Sequence, residues 1–264
     1  MLAFECDAVE STICTPASIL ELFELPVLFG SVNRTMVYFF LAALVIIATL
    51  YFAYRKPRVV PTKFGVAVDS LVRLVRDDIA VGVIGHGGEK YAPYLLSLFL
   101  FILVGNLFGL TPLINFPLGS RMAIPAFLAL VTYLIFVIAG IAKQGLGYFG
   151  HLLWPPGVPM ALKPLIGIIE FVSTLLVRPF SLAVRLFANL VAGHTMLTLL
   201  LGSGIFFLAN IGSIGVMKGG VVGLLWFVFG FAIYLLEILV AVLQAYIFTL
   251  LSAVYIQTSV HPEH

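Results

Sequence analysis

Five ionisable residues in the C-terminal half of the chain interrupt otherwise apolar sequence: Glu170, Arg178, Arg185, His194 and Glu237. An ionisable group in hydrocarbon costs about 2.5–3.5 kcal/mol on insertion scales, so each needs a partner or a purpose. Arg185 is the sharpest case, because a guanidinium does not relieve the cost by giving up its proton. Two readings fit it. It is half of a fixed ion pair between two helices, with Glu237 as the internal partner, or it is a functional charge. The pair accounts for two charges and leaves Glu170, Arg178 and His194 unexplained. At about 100° per residue, Arg178, Ser181 and Asn189 share nearly one helical face with Arg185, and His194 faces the other way. Glu237 and Gln244 share a face seven residues apart on a later helix, and Tyr255 nearly rejoins it. An imidazole and a carboxylate on successive helices suit a proton relay, since neutral imidazole both accepts and donates. The alternative for His194 is a satisfied buried histidine.

The elements that position these residues are membrane helices. Of 264 residues, 62% are hydrophobic and 10% charged, with a mean hydropathy of +1.16, where globular chains carry about 25% charged residues. That excludes a soluble domain, and a net charge of +2 argues against nucleic-acid binding. A helix needs about 20 apolar residues to cross about 30 Å of hydrocarbon. Three ordinary spans are expected within 35–142, at Thr35–Tyr54, Tyr91–Ile114 and Met122–Ala142, with a cytoplasmic amphipathic segment over 55–90. A loop follows over 143–163. Pro164–Asn210 and Val221–Gln257 are then too long for upright spans: about 40 residues make a helix of about 60 Å. They predict a hairpin over 164–257 of two long helices, tilted on the order of 60° if unbroken, with the glycine-rich stretch from Gly202 to Gly220 as its bend. Pro179 can kink the first. The fold class is all-α and polytopic.

Basic residues orient the chain. Arg55, Lys56, Arg58, Lys63, Arg73, Arg76 and Lys90 lie in one loop and Lys143 and Lys163 in another, against Arg34, Arg121 and Lys218 on the opposite side. The loops and the 258–264 tail are therefore cytoplasmic and the 1–34 segment outside. Cys6 and Cys14 match no metal or haem spacing; they pair in an oxidising compartment or stay free thiols. Residues 1–33 hold no Lys or Arg, unlike a signal peptide. Gly85-His86-Gly87-Gly88 lacks the lysine of a phosphate-binding loop and reads as a turn. His151 beside Trp154-Pro155-Pro156 reads as interfacial, and His261, Glu263 and His264 as a solvated tail. Nothing predicts a cofactor or metal site.

The run Arg178-Pro179-Phe180-Ser181-Leu182-Ala183-Val184-Arg185-Leu186-Phe187-Ala188-Asn189-Leu190-Val191-Ala192-Gly193-His194 resembles the signature of subunit a of the F-type ATP synthase. Glu237 to Phe248 resembles that family's last-helix motif, and Phe101 to Pro112 an earlier span. The resemblance covers most of residues 60–260. It implies a non-catalytic stator subunit that conducts protons through two offset half-channels to a ring of carboxylate-bearing c subunits. It implies a peripheral-stalk subunit b, the rest of the F1Fo complex and lipids as partners. By motif, Arg185 separates the half-channels with Asn189 and Gln244 as polar neighbours, His194 and Glu237 line the outer half-channel, and Glu170 and Ser181 lie along the inner one. Some members carry the acid and the histidine in exchanged positions, and the commoner spacing before Arg178 is seven residues, where Glu170 stands at eight. Arg178 reads as an anchor beside Pro179. The absence of a transit-like leader favours a bacterial plasma membrane over a mitochondrial inner membrane. The competing functions are an autonomous transporter or channel with Arg185 and Glu237 as a substrate clamp, and a membrane scaffold.

Overall fold

The computed structural model describes residues 4–5, 15–16, 27–29, 32–55, 62–111, 118–145, 147–148, 150 and 162–260. Cys6, Cys14, His151, Trp154 and residues 261–264 lie outside them. Two short antiparallel ladders come first, β1 (Phe4–Glu5) with β2 (Thr15–Pro16) and β3 (Val27–Phe29) with β4 (Val32–Asn33). Everything long after them is helix. In hydrocarbon each backbone polar group must be satisfied within the chain, and the helix does this inside one segment.

Five helices are long and apolar enough to cross a membrane. The first three are α1 (Arg34–Tyr54), α4 (Ala92–Leu110) and α5 (Ala123–Gln144), close to the expected spans. Between α1 and α4 lies the amphipathic segment, α2 (Lys63–Arg73), a π-wound stretch Leu74–Val81 and α3 (Gly82–Ile84). The Thr62 hydroxyl caps α2 by accepting from the Gly65 N–H at 3.2 Å. Val68, Val75 and Ile79 are buried and Arg73, Arg76, Asp77 and Asp78 exposed. Gly85 (φ 77°) and Gly87 (φ 91°) form the expected turn, in a conformation that costs glycine nothing.

The two long apolar runs are helical over Lys163–Ala209 and Gly219–Val260, 47 and 42 residues, or about 70 and 63 Å at 1.5 Å per residue. The first comprises α6 (Lys163–Val172), a π turn Ser173–Val177 and α7 (Arg178–Ala209). Pro179 explains the π turn. It has no N–H to give the Leu175 carbonyl, so the backbone widens, and the Arg178 N–H bonds to the Ser173 carbonyl five residues back. The bend differs from expectation. Gly202 and Gly204 lie inside α7, and the break is confined to Asn210–Gly215, with α8 (Ile211–Ile214) inside it and Gly215 at φ 91°. A π turn Val216–Val222 then leads into α9 (Gly223–Val260).

Gly204, expected in the bend, is a contact residue instead, as are Gly223 and Gly230 beyond it. A Cβ on Gly204 would stand 2.7 Å from the Phe227 backbone nitrogen, on Gly223 3.0 Å from Leu208 N, and on Gly230 2.8 Å from the Leu201 side chain. In membranes, helix association depends on such small residues, because lipid supplies no hydrophobic drive between helices.

The chain divides into two compact units. One comprises Met1–Ala42, Val104–Arg121 and Phe187–Leu243. Within it the ends of α7 and α9 pair antiparallel: Leu208 meets Gly223, Gly204 meets Phe227, Leu201 meets Gly230 and Gly193 meets Glu237. Its core joins Leu110, Leu197 and Ala241, and the Asn106 Nδ2 donates to the Ala241 carbonyl at 3.2 Å. The other unit comprises Ala43–Leu103, Met122–Leu186 and Gln244–His264. There the Tyr94 and Thr132 hydroxyls join α4 to α5 at 2.6 Å, and Gln144 Nε2 donates to the Ser259 carbonyl at 2.7 Å.

Candidate functional site

Helix α7 sorts its polar residues onto separate faces. Arg185 and Asn189 are exposed, Ser181 is half-buried, and His194 is buried at 3% exposure. Exposed Ala188, Ala192 and Met196 lie on the same side of the helix as Arg185 and Asn189, so the cation stands on an apolar surface. Ion pairs among the described residues are Arg73–Asp69, Arg76–Asp77 and Arg76–Glu89, all in the surface segment.

Within the unit that holds both helix ends, Glu237 is seated against Gly193, the residue before His194. A Cβ at Gly193 would overlap the carboxyl, coming 2.6 Å from Oε2. Only glycine lets an acid from α9 lie flat on α7 here. The Glu237 Oε2 and Thr195 Oγ1 are buried without a hydrogen bond among the described residues. The Thr198 hydroxyl donates to the His194 carbonyl at 2.7 Å.

In the other unit, Gln244 is buried at 4% exposure on α9. Arg178 donates from Nη1 to the Thr258 hydroxyl at 3.2 Å, and its guanidinium carbon lies 5.3 Å from the Tyr255 ring centroid. That arrangement matches the anchor expected of it. Glu170 is half-buried on α6, and one turn later Thr174 is buried inside the π turn, with no hydrogen bond for its hydroxyl among the described residues.

A family model described as ATP synthase A chain matches residues 36–257. The chain belongs to that family. Among curated relatives, each described as ATP synthase subunit a, the protein of Pseudarthrobacter chlorophenolicus is 38% identical over 269 residues, covering 100% of this chain and 99% of its own. That of Paenarthrobacter aurescens is 42% identical over 212 residues, 80% of this chain and 78% of its own. That of a Nocardioides species is 38% identical over 234 residues, 88% of this chain and 83% of its own. Membership and the five apolar helices make the chain a multi-pass membrane protein, and the resemblance carried by Arg178–His194 and Glu237–Phe248 is upheld.

Sequence reasoning missed Gly193, Thr195 and Asn106 in the first unit and Thr174 in the second. Asn106 was visible as the one amide in the apolar run Phe101–Leu110. Gly193 sits inside the quoted motif, yet nothing local says which glycine is pressed by a carboxyl from another helix. Thr174 and Thr195 look like ordinary helix threonines, and their burial comes from packing.

Proposed function

We propose that this chain is the proton-translocating stator subunit of the membrane sector of an F-type ATP synthase. The observation that carries the reading is the division of α7: Arg185 and Asn189 exposed on an apolar face, His194 buried on another. A fixed cation on an apolar membrane surface calls for an anion from outside the chain, and a carboxylate on a passing ring subunit supplies one. Its charge favours the ionised carboxylate as it passes and bars a direct proton path. At about 4 Å and an effective dielectric of about 20 such a pair is worth about 4 kcal/mol, against about 2.3 kcal/mol for a proton crossing 100 mV. A direct tight contact would stall rotation, so water or Gln244 weakens it.

The outer half-channel runs by His194 and Glu237, the inner one by Glu170 and Ser181. Buried polar atoms with no hydrogen-bond partner among the described residues are what a water chain satisfies; Glu237 Oε2 and Thr195 Oγ1 suit the outer route, Thr174 Oγ1 the inner. Helices of about 63–70 Å cross about 30 Å of hydrocarbon only if strongly tilted, which turns their long faces along a ring. The c-ring and a peripheral-stalk subunit b are the partners, the membrane is the bacterial plasma membrane, and the basic loops face the cytoplasm with the N-terminus outside. The chain carries no chemistry of its own; ATP is made elsewhere in the complex.

The test is ATP synthesis and passive proton flux in vesicles containing the assembled complex. Arg185→Ala should abolish synthesis yet admit a passive leak. Arg185→Lys should not restore coupling, because a compact ammonium lacks the planar fork of donors. Normal synthesis with Arg185→Ala ends the reading. Conduction by the purified chain without a ring would favour an autonomous channel.

A further inference from the structure

Of the five ionisable residues that interrupt the C-terminal apolar runs, Arg178 alone has no part in this proton pathway, and its surroundings are unusually built. It is the first residue after the π turn Ser173–Val177, and its N–H closes that turn on the Ser173 carbonyl. A π turn holds one residue more than an α turn. If it relaxed to α winding, every later residue of α7 would advance by one position, about 100° of rotation and 1.5 Å of rise. Pro179 removes the hydrogen bond that would favour the α form at Leu175, but it does not fix the rotation of the helix beyond it.

The guanidinium supplies that constraint. It is held at two points one turn apart on α9, the Thr258 hydroxyl at 3.2 Å and the Tyr255 ring at 5.3 Å. A planar cation suits both contacts at once, donating in its plane and stacking on its face. The far end of α9 is itself secured. Gln144 of α5 donates to the Ser259 carbonyl at 2.7 Å, and the Tyr255 ring meets the Phe136 ring of α5 edge-on at 6.0 Å. Arg178 therefore grips a frame fixed by a third helix.

Arg185 stands seven residues later, about 20° away on the same face and about 10.5 Å along the axis. Arg178 and Arg185 lie in one continuous helix whose single proline, Pro179, sits in its first turn, and neither proline nor glycine follows between Phe180 and Arg185, so a rotation set at the start of α7 is carried to Arg185. We propose that Arg178 is a positioning residue: its clasp on Tyr255 and Thr258 locks the winding of the π turn and so the rotation at which α7 presents Arg185. The proposal rests on the stator reading and adds to it a determinant of coupling that touches neither proton nor ring.

The experiment uses the whole complex in vesicles and reads protons pumped per ATP hydrolysed, passive leak, and maleimide labelling of single cysteines placed at Val184 and Leu186, which flank Arg185. Arg178→Ala should leave assembly and ATP hydrolysis in place, lower the pumping ratio severalfold, raise the leak and change the labelling of at least one cysteine. Tyr255→Leu should reproduce this, and the double variant should be no worse than either single one. Arg178→Lys keeps a cation over the ring and should recover part of the ratio, which a merely space-filling role would not require. If Arg178→Ala fails to assemble, Tyr255→Leu and Arg178→Lys carry the same readouts. A wild-type ratio and wild-type labelling in Arg178→Ala or Tyr255→Leu overturn the clasp. The stator reading fails separately, by normal coupling in Arg185→Ala.

Discussion

Replacing Gly193 by alanine is the most discriminating small change available in this chain. On an isolated helix it should help, since alanine is favoured over glycine in a helix interior by about 1 kcal/mol. Here the new methyl would overlap the Glu237 carboxyl and stand 2.6 Å from Oε2. Carbon and oxygen at van der Waals contact sit near 3.2–3.4 Å, roughly, so the carboxyl must retreat by about 0.6–0.8 Å or more. It can rotate off its rotamer, at about 0.5–1.5 kcal/mol, or push the helices apart, at about 1–3 kcal/mol. If that cost falls on the geometry in which Glu237 handles the proton, conduction drops by about 2- to 150-fold, at about 1.4 kcal/mol per tenfold. The assay is passive proton flux through the membrane sector, with subunit content measured alongside. Shortening the acid by one methylene makes room, so Gly193→Ala with Glu237→Asp should conduct better than Gly193→Ala alone. Wild-type flux in Gly193→Ala would refute this account, and so would a double variant no better than the single one with assembly intact.

Exchanging the relay groups, His194→Glu with Glu237→His, should keep far more proton flux than either single change, and equal loss in all three variants argues against a shared path. Gly204→Val forces its side chain onto the Phe227 backbone, which cannot yield as a flexible side chain can, so the hairpin should lose at least the about 1–3 kcal/mol of ordinary overpacking; thermal unfolding of the detergent-purified complex reads it, and an unchanged midpoint contradicts the packing. Asn106→Leu removes the bond to the Ala241 carbonyl and should lower stability by about 0.5–1.5 kcal/mol, with a larger loss for Asn106→Ala because a cavity is added; equal midpoints for both variants and the wild type would show that the bond contributes nothing.

What the linear chain determines by itself is the inventory and its periodicity. Charge-free runs of fixed minimum length must be membrane helices, because no other local structure satisfies the backbone in hydrocarbon, and α1, α4 and α5 appear where hydropathy puts them. The two long runs were legible for the same reason, as was the stripe containing Arg185, since helical geometry assigns faces once a helix is granted. The bend was legible only coarsely. A glycine in sequence can be a hinge or a contact, and which one depends on what stands opposite: Gly215 turns the chain at φ 91°, whereas Gly204 lies within α7 and admits Phe227. The same holds for Arg185 and Glu237, which composition alone offers as an ion pair. Only tertiary structure shows that Glu237 is pressed onto Gly193 and that Arg185 stands on an exposed face. The physical reason is that burial, close approach and charge pairing are properties of surfaces brought together from distant parts of the chain, and no local rule of spacing contains them.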